Sequence, residues 1–194
     1  MLYYGTTGYY NYKAPTDNEI FENFELIIPT KESTELDMKV YQDHSLNSLV
    51  IHQSYDLKKT MPKLYIEWSN SWKKNHKNWA YHLWSDEDNR NLIKHYYPWF
   101  LETYDLFHRK IFQIDSVRYL YMHRYGGVYS DLDAESLKPL DVFFFNKDSQ
   151  PVVSSIQNRK IILAYMGENR YFRHGIPNAF LGATAPGDPF WLFV

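Results

Sequence analysis

The 194-residue sequence contains no cysteine. Disulfide frameworks, cysteine-bound zinc and thiol nucleophiles are therefore excluded. It has no apolar run approaching the ~18 residues of a membrane-spanning helix. It also lacks an Asn-x-Ser/Thr sequon and any Walker, Gly-x-Gly-x-x-Gly or Gly-x-Ser-x-Gly loop. The start, Met1-Leu2-Tyr3-Tyr4-Gly5, has no basic segment followed by an apolar one, so no leader is expected. A charge surplus is missing too: Lys+Arg 21 against Asp+Glu 23 gives a net charge of −2. Neutralising nucleic-acid phosphates takes surplus cations, so nucleic acid is not an expected partner.

What the chain has in excess is aromatic rings: Tyr 18, Phe 12 and Trp 6. Such rings fill cores, and amphipathic Tyr and Trp also line sugar and base pockets. The length suits one domain, and 44% apolar residues suffice for one core. Residues 1–47 mix Gly, Thr, Asn and Tyr with an acidic-polar stretch and hold no period. They read as a loosely ordered lead-in to a domain spanning 48–194. The sequence ends on Phe190-Trp191-Leu192-Phe193-Val194. Five large apolar residues call for cover, and a domain continuing past residue 194 is expected.

From Leu49 the pattern sharpens. Leu49 to His52 reads as a buried strand. Leu64, Tyr65, Trp68 and Trp72 recur at helical spacing and predict a helix over 62–74, with Thr60 as N-cap and Pro62 in the first turn. Trp79 to Trp84 reads as a second strand. Ser85-Asp86-Glu87-Asp88 opens a helix with acids where its dipole favours them. Its stripe is Leu92, Ile93 and Tyr96, and it stops before Pro98. The clearest helix runs from Lys110 to Tyr125, with Ile111, Ile114, Val117, Leu120, Tyr121 and Tyr125 on one face. Gly126-Gly127 ends it. Strands are expected at Val128–Ser130, 152–155, 161–165 and 179–184. Alternating strands and helices predict an α/β layered domain.

The chemistry lies where that helix ends. Asp131-Leu132-Asp133 on extended backbone puts two carboxylates on one side. Such a pair repels itself unless a cation lies between, and oxygen ligands of this kind suit Mg2+ or Mn2+. The other Asp-x-Asp triplet, Asp86-Glu87-Asp88, is assigned to a helix start without metal. Asp115 and Arg118 stand three apart on the long helix. They interrupt its apolar side, and charges placed there need a partner. A surface ion pair is the alternative.

The run from Asp115 to Asp133 resembles the D-x-x-R…Y-G-G-x-Y-x-D-x-D signature of glycosyltransferase family 32, the yeast-type mannosyltransferases. Val50-Ile51-His52-Gln53 with Pro62, Tyr81-His82-Leu83-Trp84-Ser85-Asp86 and Ile176-Pro177-Asn178-Ala179-Phe180 with Pro186 resemble further blocks of that family. The resemblance implies a GT-A, Rossmann-like domain that binds a nucleotide sugar. Asp131 and Asp133 would hold Mn2+ or Mg2+ against the diphosphate. Asp115 and Arg118 would grip the donor sugar, with Tyr129 and Gly127 at the donor pocket. Tyr55 would replace a family Trp beside the nucleobase, and His174 and Asn178 belong to the later block. The family retains anomeric configuration, and front-face attack needs no dedicated base. GDP-mannose is the favoured donor over a UDP-hexose, the acceptor a glycan or glycolipid, and the location the Golgi.

Two other functions stay open at this point. One is a degenerate transferase that only binds sugar or nucleotide. The other is an Asp-x-Asp phosphohydrolase, which Gly126-Gly127 ahead of the triplet and Glu135 behind it disfavour. His52, His82, His95, His108 and His123 show no metal-ligand spacing and read as structural. Trp68, Trp72, Trp79 and Trp84 read as core or cleft walls.

Overall fold

A computed structural model describes residues 49–145, 160–164 and 175–194. The lead-in 1–47, the strand expected at 152–155 and His174 lie outside them. The elements are β1 (Val50–Ser54), α1 (Lys63–Asn75), β2 (Ala80–Trp84), α2 (Asp86–Tyr96), α3 (Pro98–Leu106), α4 (Lys110–Tyr125), β3 (Gly127–Ser130), α5 (Asp141–Phe144), β4 (Ile161–Leu163), β5 (Phe180–Ala183) and a 3-10 turn (Pro189–Leu192).

The strands form one sheet in the order β2-β1-β3-β5-β4. β1 runs parallel to β2 and β3, and β5 runs antiparallel to β3 and β4. Strand residues alternate between two buried faces. Val50, Trp84 and Tyr129 pack with Leu92, Ile93, Val117, Tyr121 and Trp191 on one side. Ile51 and Val128 pack with Trp72, Trp79 and Phe144 on the other. Helices thus cover both faces of a mixed sheet, and the chain is an α/β domain.

Local chemistry explains most boundaries. Ser85 accepts from the Asp88 amide while the Asp88 carboxylate accepts from the Ser85 amide, a capping box that starts α2. Thr60 caps nothing. Pro62 itself is the N-cap of α1, and its carbonyl accepts from the Tyr65 and Ile66 amides. Pro98 stops α2 as expected but also opens α3, which sequence spacing missed. Proline suits a first helical turn because no donor is needed there. α4 has the expected bounds, yet Ile111 is 45% exposed. The buried residues of that helix begin at Val117. Trp72, Trp79 and Trp84 are core, whereas Trp68 is half-buried and stacks near Tyr65. At the end of the sequence Trp191 is buried, while Phe193 and Val194 are exposed.

Candidate donor site at the sheet's switch point

The chain runs from β1 outward to β2, then returns to lay β3 on the other flank of β1. The crevice beyond the carboxyl ends of β1 and β3 is where such sheets bind ligands, because connections diverge there. Asp131 follows the last residue of β3, and Tyr55 follows the last residue of β1.

The triplet does not continue the strand. The Ala134 amide donates to the Asp131 carbonyl at 3.3 Å, closing a turn, and Leu132 is buried beneath it. Strand alternation is therefore not what sets the two carboxylates; a turn pinned by one apolar side chain is. Asp131 is half-buried and Asp133 is exposed.

Arg118 is the centre of the site, only 4% exposed. Its Nη2 lies 3.0 Å from Asp115 Oδ1 and its Nη1 3.4 Å from Asp131 Oδ1. Nη1 also donates to the Asn178 carbonyl at 2.8 Å. The guanidinium sits over the Tyr129 ring, 4.6 Å from its centroid. The Tyr129 hydroxyl donates to Asp131 Oδ1 at 2.6 Å. Burial holds that phenol well above its ordinary value, so it stays a donor. Asp115, Arg118, Tyr129, Asp131 and the Asn178 backbone are thereby joined in one cluster.

Burial raises the Asp131 carboxyl above its usual value. The Tyr129 hydroxyl and Arg118 oppose this, while Asp133 and Asp115 add to it. Asp115, Asp131 and Asp133 against Arg118 leave two negative charges uncompensated, which is what a divalent cation balances. Among the described residues no group of three or more acidic or His side chains is placed to hold a metal ion. The fit is to a cation that takes one or two carboxylates and completes its shell with water and phosphate oxygens.

Gly127 is not brought to this cluster; it opens β3 at the opposite end from Asp131. Tyr55 lies on the correct edge of the sheet. Its hydroxyl donates to the Thr60 carbonyl at 3.0 Å and its ring meets Tyr65 edge-on. Sequence reading gave no role to Gln53, which is fully buried. Its Nε2 donates to the Asp131 carbonyl at 3.2 Å, and its Oε1 accepts from the Tyr81 hydroxyl at 2.8 Å. It ties the turn to β1 and β2. The signal was an amide inside a buried strand. Gln53→Leu is expected to cost about 1–3 kcal/mol in urea unfolding, the range for buried polar groups left unpaired. Tyr81→Phe, which frees only Oε1, should cost less.

Residues 62–151 match the family described as a glycosyltransferase sugar-binding region containing a DXD motif. That match takes in Asp115, Arg118 and the whole 131–133 turn. Residues 62–151, just under half of the chain, thus carry a DXD glycosyltransferase domain. Inositol phosphoceramide mannosyltransferase 3 of Schizosaccharomyces pombe is 37% identical over 92 residues, 47% of this chain and 26% of that protein. A mannosyl phosphorylinositol ceramide synthase of Saccharomyces cerevisiae, CSH1, is 35% identical over 150 residues, 71% of this chain and 40% of that protein. The initiation-specific alpha-1,6-mannosyltransferase of Candida albicans is 24% identical over 140 residues, 71% of this chain and 34% of that protein. The chain therefore spans well under half the length of these relatives. No solved structure matches it.

Proposed function

We propose that this chain is the nucleotide-sugar-binding part of a retaining, metal-dependent mannosyltransferase of GT-A type, moving mannose from GDP-mannose to a glycolipid. The observation that carries the reading is Arg118, buried and joined at once to Asp115, Asp131 and the Asn178 carbonyl. Relatives named for mannosyl transfer to inositol phosphoceramide support the donor and acceptor. A Golgi location goes with this reading. Among the described residues no helix is long and apolar enough to cross a membrane.

Asp131 and Asp133 would hold Mn2+ or Mg2+. A cation there supplies Lewis-acid stabilisation of the leaving diphosphate. The chain's own work is preorganisation. Arg118 keeps a fixed positive charge beside the place where negative charge develops. Asp115, about one-third exposed and held by Arg118, offers an acceptor for sugar hydroxyls. Tyr129 fixes one oxygen of Asp131 and leaves the other free to bind.

The test is thermal unfolding with GDP-mannose, UDP-galactose and UDP-glucose, each with and without Mn2+. A site filled to about 100 times its dissociation constant gains roughly 2.7 kcal/mol, which is several degrees for a domain this size. The expected result is a shift with GDP-mannose that requires Mn2+ and is absent in Asp133→Asn. A shift with a UDP-sugar alone would replace the donor. No shift in a folded sample would overturn the reading.

A further inference from the structure

Gln53 lies on β1, an interior strand, and shares a face of it with Ile51, whose packing partners are apolar. A buried amide in such a place costs free energy unless both its ends are bonded. Its Oε1 accepts from the Tyr81 hydroxyl at 2.8 Å, so its Nε2 faces the other way and donates to the Asp131 carbonyl at 3.2 Å. Burial pushes the Tyr81 phenol up to about 12, which keeps it a donor and fixes the direction of the amide.

The amide meets the 131–134 turn where the turn is weakest. The turn's own hydrogen bond, from the Ala134 amide to the Asp131 carbonyl, is long at 3.3 Å. The far end is held separately, because Trp72 Nε1 donates to the Ala134 carbonyl at 2.8 Å. Between these two anchors Leu132 is buried and Asp133 is exposed. Tyr129 and Arg118 hold the Asp131 carboxylate directly, whereas Asp133 takes its place from the turn. The sheet does not call for this arrangement. A Leu and a Phe of similar shape would fill the same space with no donor or acceptor left over. We propose that Gln53, oriented by Tyr81, is a positioning residue for the Asp131–Asp133 carboxylate pair, fixing the turn so that both serve one divalent cation. This rests on the proposed metal-dependent reaction and adds what sets how tightly the cation is held.

The test is a Mn2+ titration of the full chain with GDP-mannose present, read by the EPR signal of the free ion, beside urea unfolding of the same proteins. The main variant combines Gln53→Leu with Tyr81→Phe. Its Asp131 carbonyl still accepts from the Ala134 amide and from the Ser130 hydroxyl at 3.2 Å, so that carbonyl keeps partners. Its urea midpoint should therefore lie above that of Gln53→Leu alone. Its Mn2+ affinity should nonetheless fall about 10–100-fold, the range for residues that orient metal ligands. Tyr81→Phe alone keeps the Gln53 amide but frees it to turn, and should lose less. A merely structural Gln53 predicts the opposite, with Mn2+ affinity recovering alongside the urea midpoint in the double variant. That recovery, or wild-type affinity in Tyr81→Phe, would overturn the proposal. A wild-type protein that takes up no more Mn2+ than Asp133→Asn would instead overturn the metal-dependent reading, and this role of Gln53 with it.

Discussion

Gly127→Ala is expected to prevent folding rather than to weaken it. Gly127 has φ +80, a conformation that L side chains rarely adopt. Space is the larger obstacle. A Cβ at this position would lie 2.2 Å from the Val50 carbonyl oxygen. That oxygen belongs to β1, an interior strand held between β2 and β3, and it cannot retreat without breaking the register of both. Strain and backbone clash together exceed the ~4 kcal/mol above which a single substitution is exceptional. Gly182→Ala is the comparison. Its Cβ would lie 3.1 Å from the Ile162 Cβ, and that atom belongs to the edge strand β4, which has to give by only a few tenths of an ångström. Urea unfolding of the two variants should show a cooperative transition at a lowered midpoint for Gly182→Ala and no cooperative transition for Gly127→Ala. A folded Gly127→Ala protein would mean that β3 does not lie against Val50 as described.

The same glycine shows what a sequence discloses. Gly126-Gly127 after a sixteen-residue amphipathic helix announces a chain reversal, and both residues have positive φ. The close approach to Val50 is seventy-seven residues away in sequence and leaves no local trace. Arg118 follows the same logic. A charge interrupting an apolar stripe announces a buried partner, and Asp115 is close enough in sequence to be named. Asn178, which takes the shortest of Arg118's hydrogen bonds, is not, because only the pairing of β3 with β5 brings it there. The Asp131–Asp133 geometry was misread for a different reason. Alternation applies while a strand lasts, and this strand ends at Ser130. The family resemblance supplied roles for these residues that no periodicity contains, and the fold supplies the reason they meet.

Acid is expected to destabilise the domain through His52. Its imidazole is fully buried at the centre of the sheet. Trp84 Nε1 donates to its Nδ1 at 3.1 Å, and its Nε2 lies 3.0 Å from the Gly126 carbonyl. Only a neutral ring protonated on Nε2 satisfies both contacts, because protonating Nδ1 would set a donor against the Trp84 donor. The ring also stacks near Trp84 and Tyr121, which exclude water. Burial, and to a lesser extent the charge of His82, lowers its pKa from 6.5 to about 3, against the opposing effect of the Gly126 bond. The sign follows from proton counting. Between those values the unfolded chain binds one more proton than the folded one, so stability rises with pH. The contribution is complete above pH 6.5 and is lost as pH falls toward 3, on the order of 5 kcal/mol across the window. At pH 4.5 roughly 3 kcal/mol should already be gone. Urea unfolding from pH 7 to pH 4 measures it, with His52→Gln as the reference. That variant keeps an amide for Gly126 but takes up no proton, so its stability should fall less steeply by about one proton's worth per pH unit. Identical pH slopes in the two proteins would show that His52 protonates freely, and that the junction of β1, β2 and the end of α4 is open to water.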